Sequence, residues 1–260
     1  MIILWGTFFI YLFCSMTMEI SAWALLSIWS VGLPIYILAK TRLPSKKGIL
    51  ASVILAALVS VAYLGIQMDL KVVVLNGVGA GLPTLLCSLA VFSLIEEKVG
   101  IKMISTGRKH APLASLVTAI AVGAMLSIIN YFLMKDSNTI DFKITISRLV
   151  VCLSPAIYEE IACRAIFMAF GLYAVHKELL RGHASAPKEK ATKFQQFTIW
   201  FMMCVPHTAA HGYDIISTIL LCILFGVPFA ILQRKRDITS AMISHGIVDA
   251  VRFIIFGLGF

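Results

Sequence analysis

Charge is the scarcest property of this 260-residue sequence. Its 22 Lys+Arg and 13 Asp+Glu make up only 13% of the residues, against about 25% in an ordinary soluble domain. Metal-spaced cysteines are absent: Cys14, Cys87, Cys152, Cys163, Cys204 and Cys222 all lie in apolar stretches, with no CxxC and no Cys/His cluster. That excludes a cysteine zinc module and leaves small buried side chains as the reading. No internal repeat, low-complexity tract or second compositional block is visible. The N-terminus, Met1-Ile2-Ile3-Leu4-Trp5, has no basic run before its apolar residues. A cleaved signal peptide is therefore not expected, and 1–18 reads as a membrane segment. What is plentiful is apolar: 60% of residues are hydrophobic and the mean hydropathy is +0.93. This excludes disorder and a soluble single-core globule. The net charge of +9 is no nucleic-acid signature either, because long apolar runs separate the basic residues. A polytopic membrane protein remains.

Apolar runs bounded by charge fall at 1–18, 20–39, 49–66, 72–95, 111–134, 144–175, 194–211, 215–232 and 238–260. At roughly 20 apolar residues per span, the expected fold is an all-α transmembrane bundle of eight or nine helices. The run 144–175 is too long for one straight span. The intervening segments alternate in charge. Segments 40–47, 96–110, 176–193 and 233–237 together hold 16 basic and 5 acidic residues, whereas the remaining segments, with Glu19, hold 3 basic and 5 acidic. The positive-inside rule places the first set in the cytoplasm, with 176–193 as the one sizeable soluble loop. The net charge is thus a topology signal. The chain is expected to be a multi-pass protein of a prokaryotic cytoplasmic membrane, with the lipid bilayer and no nucleic acid as partner.

The spans retain six charged side chains, Arg148, Glu159, Glu160, Arg164, Asp249 and Arg252, with the histidines His207, His211 and His245. A charge at membrane depth costs at least about 2.5 kcal/mol, which makes each a functional candidate. Glu160 and Arg164, His207 and His211, and His245 and Asp249 are each i,i+4 pairs that share a helix face. Glu159 lies about 100° round from Glu160 and is free to face a neighbouring helix. Three late helices each carry a polar stripe, and a bundle can converge these on one polar intramembrane cavity. Taken alone, Glu160–Arg164 reads equally as a structural ion pair. Glu96-Glu97-Lys98 reads as a solvated interfacial run, and Arg148 and Arg252 as anchors that snorkel from helix ends.

A carboxylate beside imidazoles in a dry cavity can act as general base. Glu159 would deprotonate a water for attack on a peptide carbonyl, with His245 and a partner stabilising the oxyanion and Arg164 holding Glu160 ionised. The same groups suit a hydrolytic Zn²⁺ ion, with His207, His211, Glu159 and His245 as candidate ligands. The sequence His207-Thr208-Ala209-Ala210-His211 lacks the HExxH glutamate, which favours metal-free chemistry.

Glu159-Glu160-Ile161-Ala162-Cys163-Arg164 fits EExxxR, a histidine-ended helix follows, and His245-Gly246-Ile247-Val248-Asp249 fits HxxxN/D. In this order the motifs resemble the CPBP family, the type II CAAX prenyl endopeptidases and bacteriocin-processing or immunity proteins. The resemblance covers roughly 144–260, and 1–143 is set apart as N-terminal membrane helices. It implies an all-helical membrane endopeptidase acting on a peptide or protein, prenylated or membrane-associated. Glu159 would be the base, the second-motif histidine its partner, and His245 and Asp249 the oxyanion support. The sequence departs from the pattern at Cys163, at the missing Phe four residues before either histidine, and at Asp249 in place of Asn. The small residues before His211 favour it as the motif histidine. Asp249 would be protonated, paired with Arg252, or orienting His245. The same cavity would also serve a non-catalytic immunity or scaffold protein, or an ion-coupled transporter. Against the transporter, no inverted repeat is visible.

Overall fold

In a bilayer every backbone N–H and C=O must find a partner within the protein, so apolar runs of this length fold as helices. The computed structural model describes residues 2–17, 22–66, 69–107, 110–182 and 191–258; Glu19 lies outside these. They form helices α1 (Ile2–Thr17), α2 (Ala22–Lys40), α3 (Lys46–Ala62), α4 (Leu70–Glu96), α5 (Ala111–Met134), α6 (Ile146–Val151), α7 (Ile166–Gly182), α8 (Lys193–Ala210), α9 (Ile215–Leu221), α10 (Val227–Lys235) and α11 (Ile238–Phe256). No strand occurs among the described residues, and the expected all-α membrane bundle is what they form. Five stretches are long and apolar enough to cross a membrane: Lys46–Gly65, Leu70–Glu96, Ala111–Met134, Ile215–Lys235 and Ile238–Phe256. Their large apolar side chains are exposed on one side, as at Leu58, Leu75, Ile120, Ile128 and Ile219.

Short polar side chains mark the helix starts. Ser45, Asp69, Thr145, Thr192, Asp214 and Asp237 each accept a hydrogen bond from a first-turn backbone N–H, as N-caps do. At Asp214, which precedes α9, hydrogen bonding from Ser217 and the first-turn amides holds the carboxyl below its usual range.

Small residues let the helices approach closely. Gly77 and Gly81 of α4 face Ser60 of α3, whose hydroxyl donates to Gly77 O at 2.9 Å, and a Cβ on Gly81 would sit 2.2 Å from Ser60 Oγ. Gly123 of α5 abuts Ile247 of α11 in the same way, and Gly171 of α7 abuts Ile199 of α8.

Two sequence expectations need correction. The soluble loop expected at 176–193 is shorter, because the run 144–175, too long for one straight span as expected, does not end at 175. That run is a broken helix that continues through Gly182, and α8 resumes at Lys193. The joining segment is ten residues or fewer, and 183–190 lie outside the described residues. Arg148 does not snorkel. It is 8% exposed and bonds to the Asp141 carboxylate and carbonyl and, at 3.1 Å, to Ile254 O. With Asp141 N–H to Ile255 O (2.8 Å) and Lys143 N–H to Ile254 O (2.9 Å), it fastens the segment before α6 onto the end of α11. The charged groups of Lys143 and Arg148 hold the Asp141 carboxyl below the usual carboxylate range. Glu96 is exposed but not idle, since its carboxylate accepts Ser45 N–H at the start of α3.

Candidate active site

Between α6 and α7 the chain makes two π-helical turns, Pro155–Glu159 and Ile161–Ala165. Proline has no N–H to donate into an α ladder, so Pro155 favours a change of register at that point. A π turn widens the helix and frees a carbonyl, a device that recurs at functional sites. Here Glu160 O, between the two turns, accepts from Gln233 Nε2 of α10 at 2.9 Å. The widened turn carries Glu159 and Glu160 to the centre of the bundle.

Glu160 is fully buried and has a partner for each oxygen. Its Oε1 accepts from Arg164 Nη1 and lies 2.8 Å from His245 Nδ1, and its Oε2 accepts from Gln233 Nε2 at 2.7 Å. Arg164, 2% exposed, lies over the Phe229 ring, and Phe229 stacks on His245 with centroids 4.7 Å apart. Glu159 has no arginine partner. Its Oε2 is 2.8 Å from His207 Nε2 and 3.6 Å from His245 Nε2. The first of these contacts is short, but His207 Nε2 lacks a well-aligned hydrogen bond. His245 Nε2 also faces Asp249 Oδ2, at 3.3 Å. No ion pair joins Asp249 to Arg252 among the described residues. Of the roles expected for Asp249, the geometry therefore offers contact with His245.

The ring protons follow from the partners. Arginine has no acceptor, so the 2.9 Å contact from Arg164 Nη2 makes His207 Nδ1 the acceptor. The neutral ring then carries its proton on Nε2, aimed at Glu159. His245 Nδ1 faces a carboxylate already paired with Arg164 and is the donor there.

Of the two candidate second-motif histidines, His207 is the one buried against Glu159 and Arg164. His211 is exposed, at the end of α8, with Trp23 edge-on to both rings and Tyr213 stacked on His211. The metal candidates Glu159, His207 and His211 do bring ligand atoms within 4.8 Å of one another, and His245 stands outside that set. The donors as arranged do not fit a metal ion. A ligating imidazole offers a lone pair to the metal and gives its other N–H away, whereas Arg164 occupies the His207 Nδ1 lone pair and leaves a proton on the nitrogen facing Glu159.

All of this surrounds one cavity of about 630 Å³, lined by Glu159, Arg164, His207, His211, His245 and Asp249 among others. Every site residue expected from sequence reaches it or, for Glu160, lies directly behind it. Arg252, expected only to anchor, lines it too. Sequence reasoning missed Gln233, Phe229 and Trp23. Gln233 is a lone amide beside Arg234 at the end of an apolar run, and reading it as loop hid it.

Glu160 bonds to Gln233, which directly precedes Arg234-Lys235-Arg236, and to His245, the eighth residue of α11. The two glutamates therefore lie about 10 Å in from the basic end of the bundle at 1.5 Å per residue. Helix α7 runs on past that end.

Residues 141–251 match the family model of the Rce1-like type II CAAX prenyl endopeptidases. No curated protein and no solved structure matches the chain. Five apolar spans and this protease-family match mark the chain as an integral membrane protein. The match covers less than half of the chain and falls on the same residues as the three motifs and the cavity they line, so this part of the chain is similar to the Rce1-like type II CAAX prenyl endopeptidases.

Proposed function

We propose that the protein is a glutamate-dependent intramembrane endopeptidase in which Glu159 is the general base. The observation that carries this reading is the asymmetry of two adjacent carboxylates. Glu160 is neutralised by Arg164 and tied by Gln233 and His245. Glu159 faces the cavity with only imidazoles beside it.

A water beside Glu159 gives its proton to the carboxylate as its oxygen attacks the peptide carbonyl. His207, held in one tautomer by Arg164, keeps Glu159 aimed. His245, donating from Nε2 when protonated, stabilises the oxyanion, and Asp249 orients that ring. Glu159 then returns its proton to the departing amine as the C–N bond breaks. Arg164 and Gln233 keep Glu160 ionised, and Glu160 in turn fixes His245. The substrate is a membrane-associated peptide or protein.

The test is turnover of a cleavable peptide by purified protein. Glu159→Gln is expected to lower kcat by roughly 10²–10⁴-fold with an unchanged unfolding temperature. Unchanged turnover would remove Glu159 as the base. Chelator titration of the wild type is expected to leave kcat intact. A loss that Zn²⁺ restores would require the His207 ring to abandon Arg164 and would replace this mechanism.

A further inference from the structure

The cavity has a closed end and an open end, and they face opposite sides of the bundle. The closed end is made by Arg164, Phe229 and His245. Beneath it lie Gln233, Phe167, Ile199, Met202 and Ile238, each 3% exposed or less. No lining residue comes from the ends of the helices on that side. The open end is lined by Tyr63 and Ile66 after α3, Asn130 near the end of α5, Tyr213 in the α8–α9 turn, and Arg252 and Phe253 in the last turns of α11.

These residues share one end of the bundle. There Ser147 of α6 bonds to Gly65 O, and Asp141 and Lys143 bond to the carbonyls that end α11. The opposite end is tied together by Ser45 to Glu96, Ser105 N–H to Asp237 Oδ2 (2.9 Å) and Ile238 N–H to Lys102 O (3.1 Å).

Charge separates the two ends. Among the described residues, the segments at the closed end hold 12 basic and 4 acidic residues, and those at the open end hold 3 basic and 4 acidic. Short basic segments stay in the cytoplasm. On the reading of this site as a peptidase, we propose that the cavity opens on the non-cytoplasmic face, and that the protein cleaves peptide segments presented from that side.

The attacking water and the peptide then enter past Tyr213, Tyr63 and Phe253 and descend to Glu159. The plug of buried side chains between His245 and the basic loops blocks the route from the cytoplasm. Aromatic and aliphatic side chains dominate the rim, so an apolar or uncharged extended segment fits it better than a highly charged one.

Sealed right-side-out membrane vesicles test this with a charged, membrane-impermeant maleimide. Tyr213→Cys at the mouth, Phe225→Cys in the cavity wall and Lys235→Cys at the basic end would be compared with the wild-type chain as background. Labelling of Tyr213→Cys and Phe225→Cys from outside, with Lys235→Cys labelled only after permeabilisation, is the expected result. Phe225→Cys reacting only from the Lys235 side, or from neither side, would overturn the proposal.

A peptide substrate outside the same vesicles should be cleaved and an encapsulated one spared. Cleavage of only the encapsulated peptide would refute the access route while leaving the peptidase reading intact. Expected labelling with no cleavage even in detergent would refute the peptidase reading while the access route stands.

Discussion

Residues 46–134 and 146–256 are both apolar helices, but they satisfy their polar groups in different ways. In the first region hydroxyls mostly bond within their own helix: Ser52 to Gly48 O at 2.9 Å, Thr84 to Ala80 O at 2.8 Å and Ser127 to Gly123 O at 2.8 Å. Its helices stay α for 17, 27 and 24 residues. In the second region the polar side chains find partners far along the chain. Arg164 meets His207 across 43 residues, and Glu160 meets Gln233 across 73 and His245 across 85. Π turns at Pro155–Glu159, Ile161–Ala165 and Cys222–Gly226 break the α register there. A locally closed hydroxyl asks nothing of its neighbours, so such helices can pack on small residues and lipid. A charge cannot be closed locally, and the bundle must be built around it.

This contrast can be broken most sharply at the two histidines of α8. His207→Gln should lower kcat by roughly 10²–10⁴-fold, because the side chain touches both Glu159 and Arg164. His211→Gln should change it by less than about tenfold, since His211 adds no such contact. Peptide turnover with each purified variant checks the ranking, and an inverted order would make His211 the partner of the base.

Removing one member of the buried pair comes next. Arg164→Met leaves Glu160 charged and unpaired at full burial and should cost about 3–5 kcal/mol of stability. The double variant Glu160→Gln/Arg164→Met should regain much of it. Unfolding in detergent measures both, and a double variant no more stable than the single one would mean that the charge is not what Arg164 neutralises.

Gln233→Leu removes a neutral donor from the Glu160 carboxylate and from the Glu160 carbonyl, and should cost about 1.5–3 kcal/mol. At the small end, Ser52→Ala removes a bond within one helix and should cost about 0.6 kcal/mol or less. If Ser52→Ala proved as damaging as Gln233→Leu, the distinction between local and long-range satisfaction would fail.

Much of the first region could be read from the sequence because its determinants are local. The run predicted at 111–134 is α5 residue for residue, and 72–95 becomes α4 with two residues added before and one after. The caps Ser45, Asp69 and Asp237 stand where charge interrupts the apolar runs. The second region was legible in kind but not in placement. The i,i+4 pairs Glu160–Arg164 and His245–Asp249 are in contact as spacing requires. Spacing could not show that His207 rather than His211 would meet Glu159, because that depends on where α8 docks against the broken helix. It could not show Gln233, which is informative only once α10 packs against Glu160. Nor could it show that Arg148 turns inward, because one of its carbonyl partners, Ile254 O, is supplied by the last turns of α11, 106 residues away.

By itself the sequence determined that this is an all-helical membrane protein, which segments carry the basic excess, and which charges are costly enough to need a reason. Those properties follow from composition and from spacing within a single helix, quantities that no packing can alter. Tertiary structure alone decided which carboxylate is locked and which is free, which histidine carries its proton toward Glu159, and which end of the bundle contributes side chains to the cavity lining. Each of these depends on groups from different helices meeting in a medium without water, where a polar atom takes whatever partner the packing brings within reach.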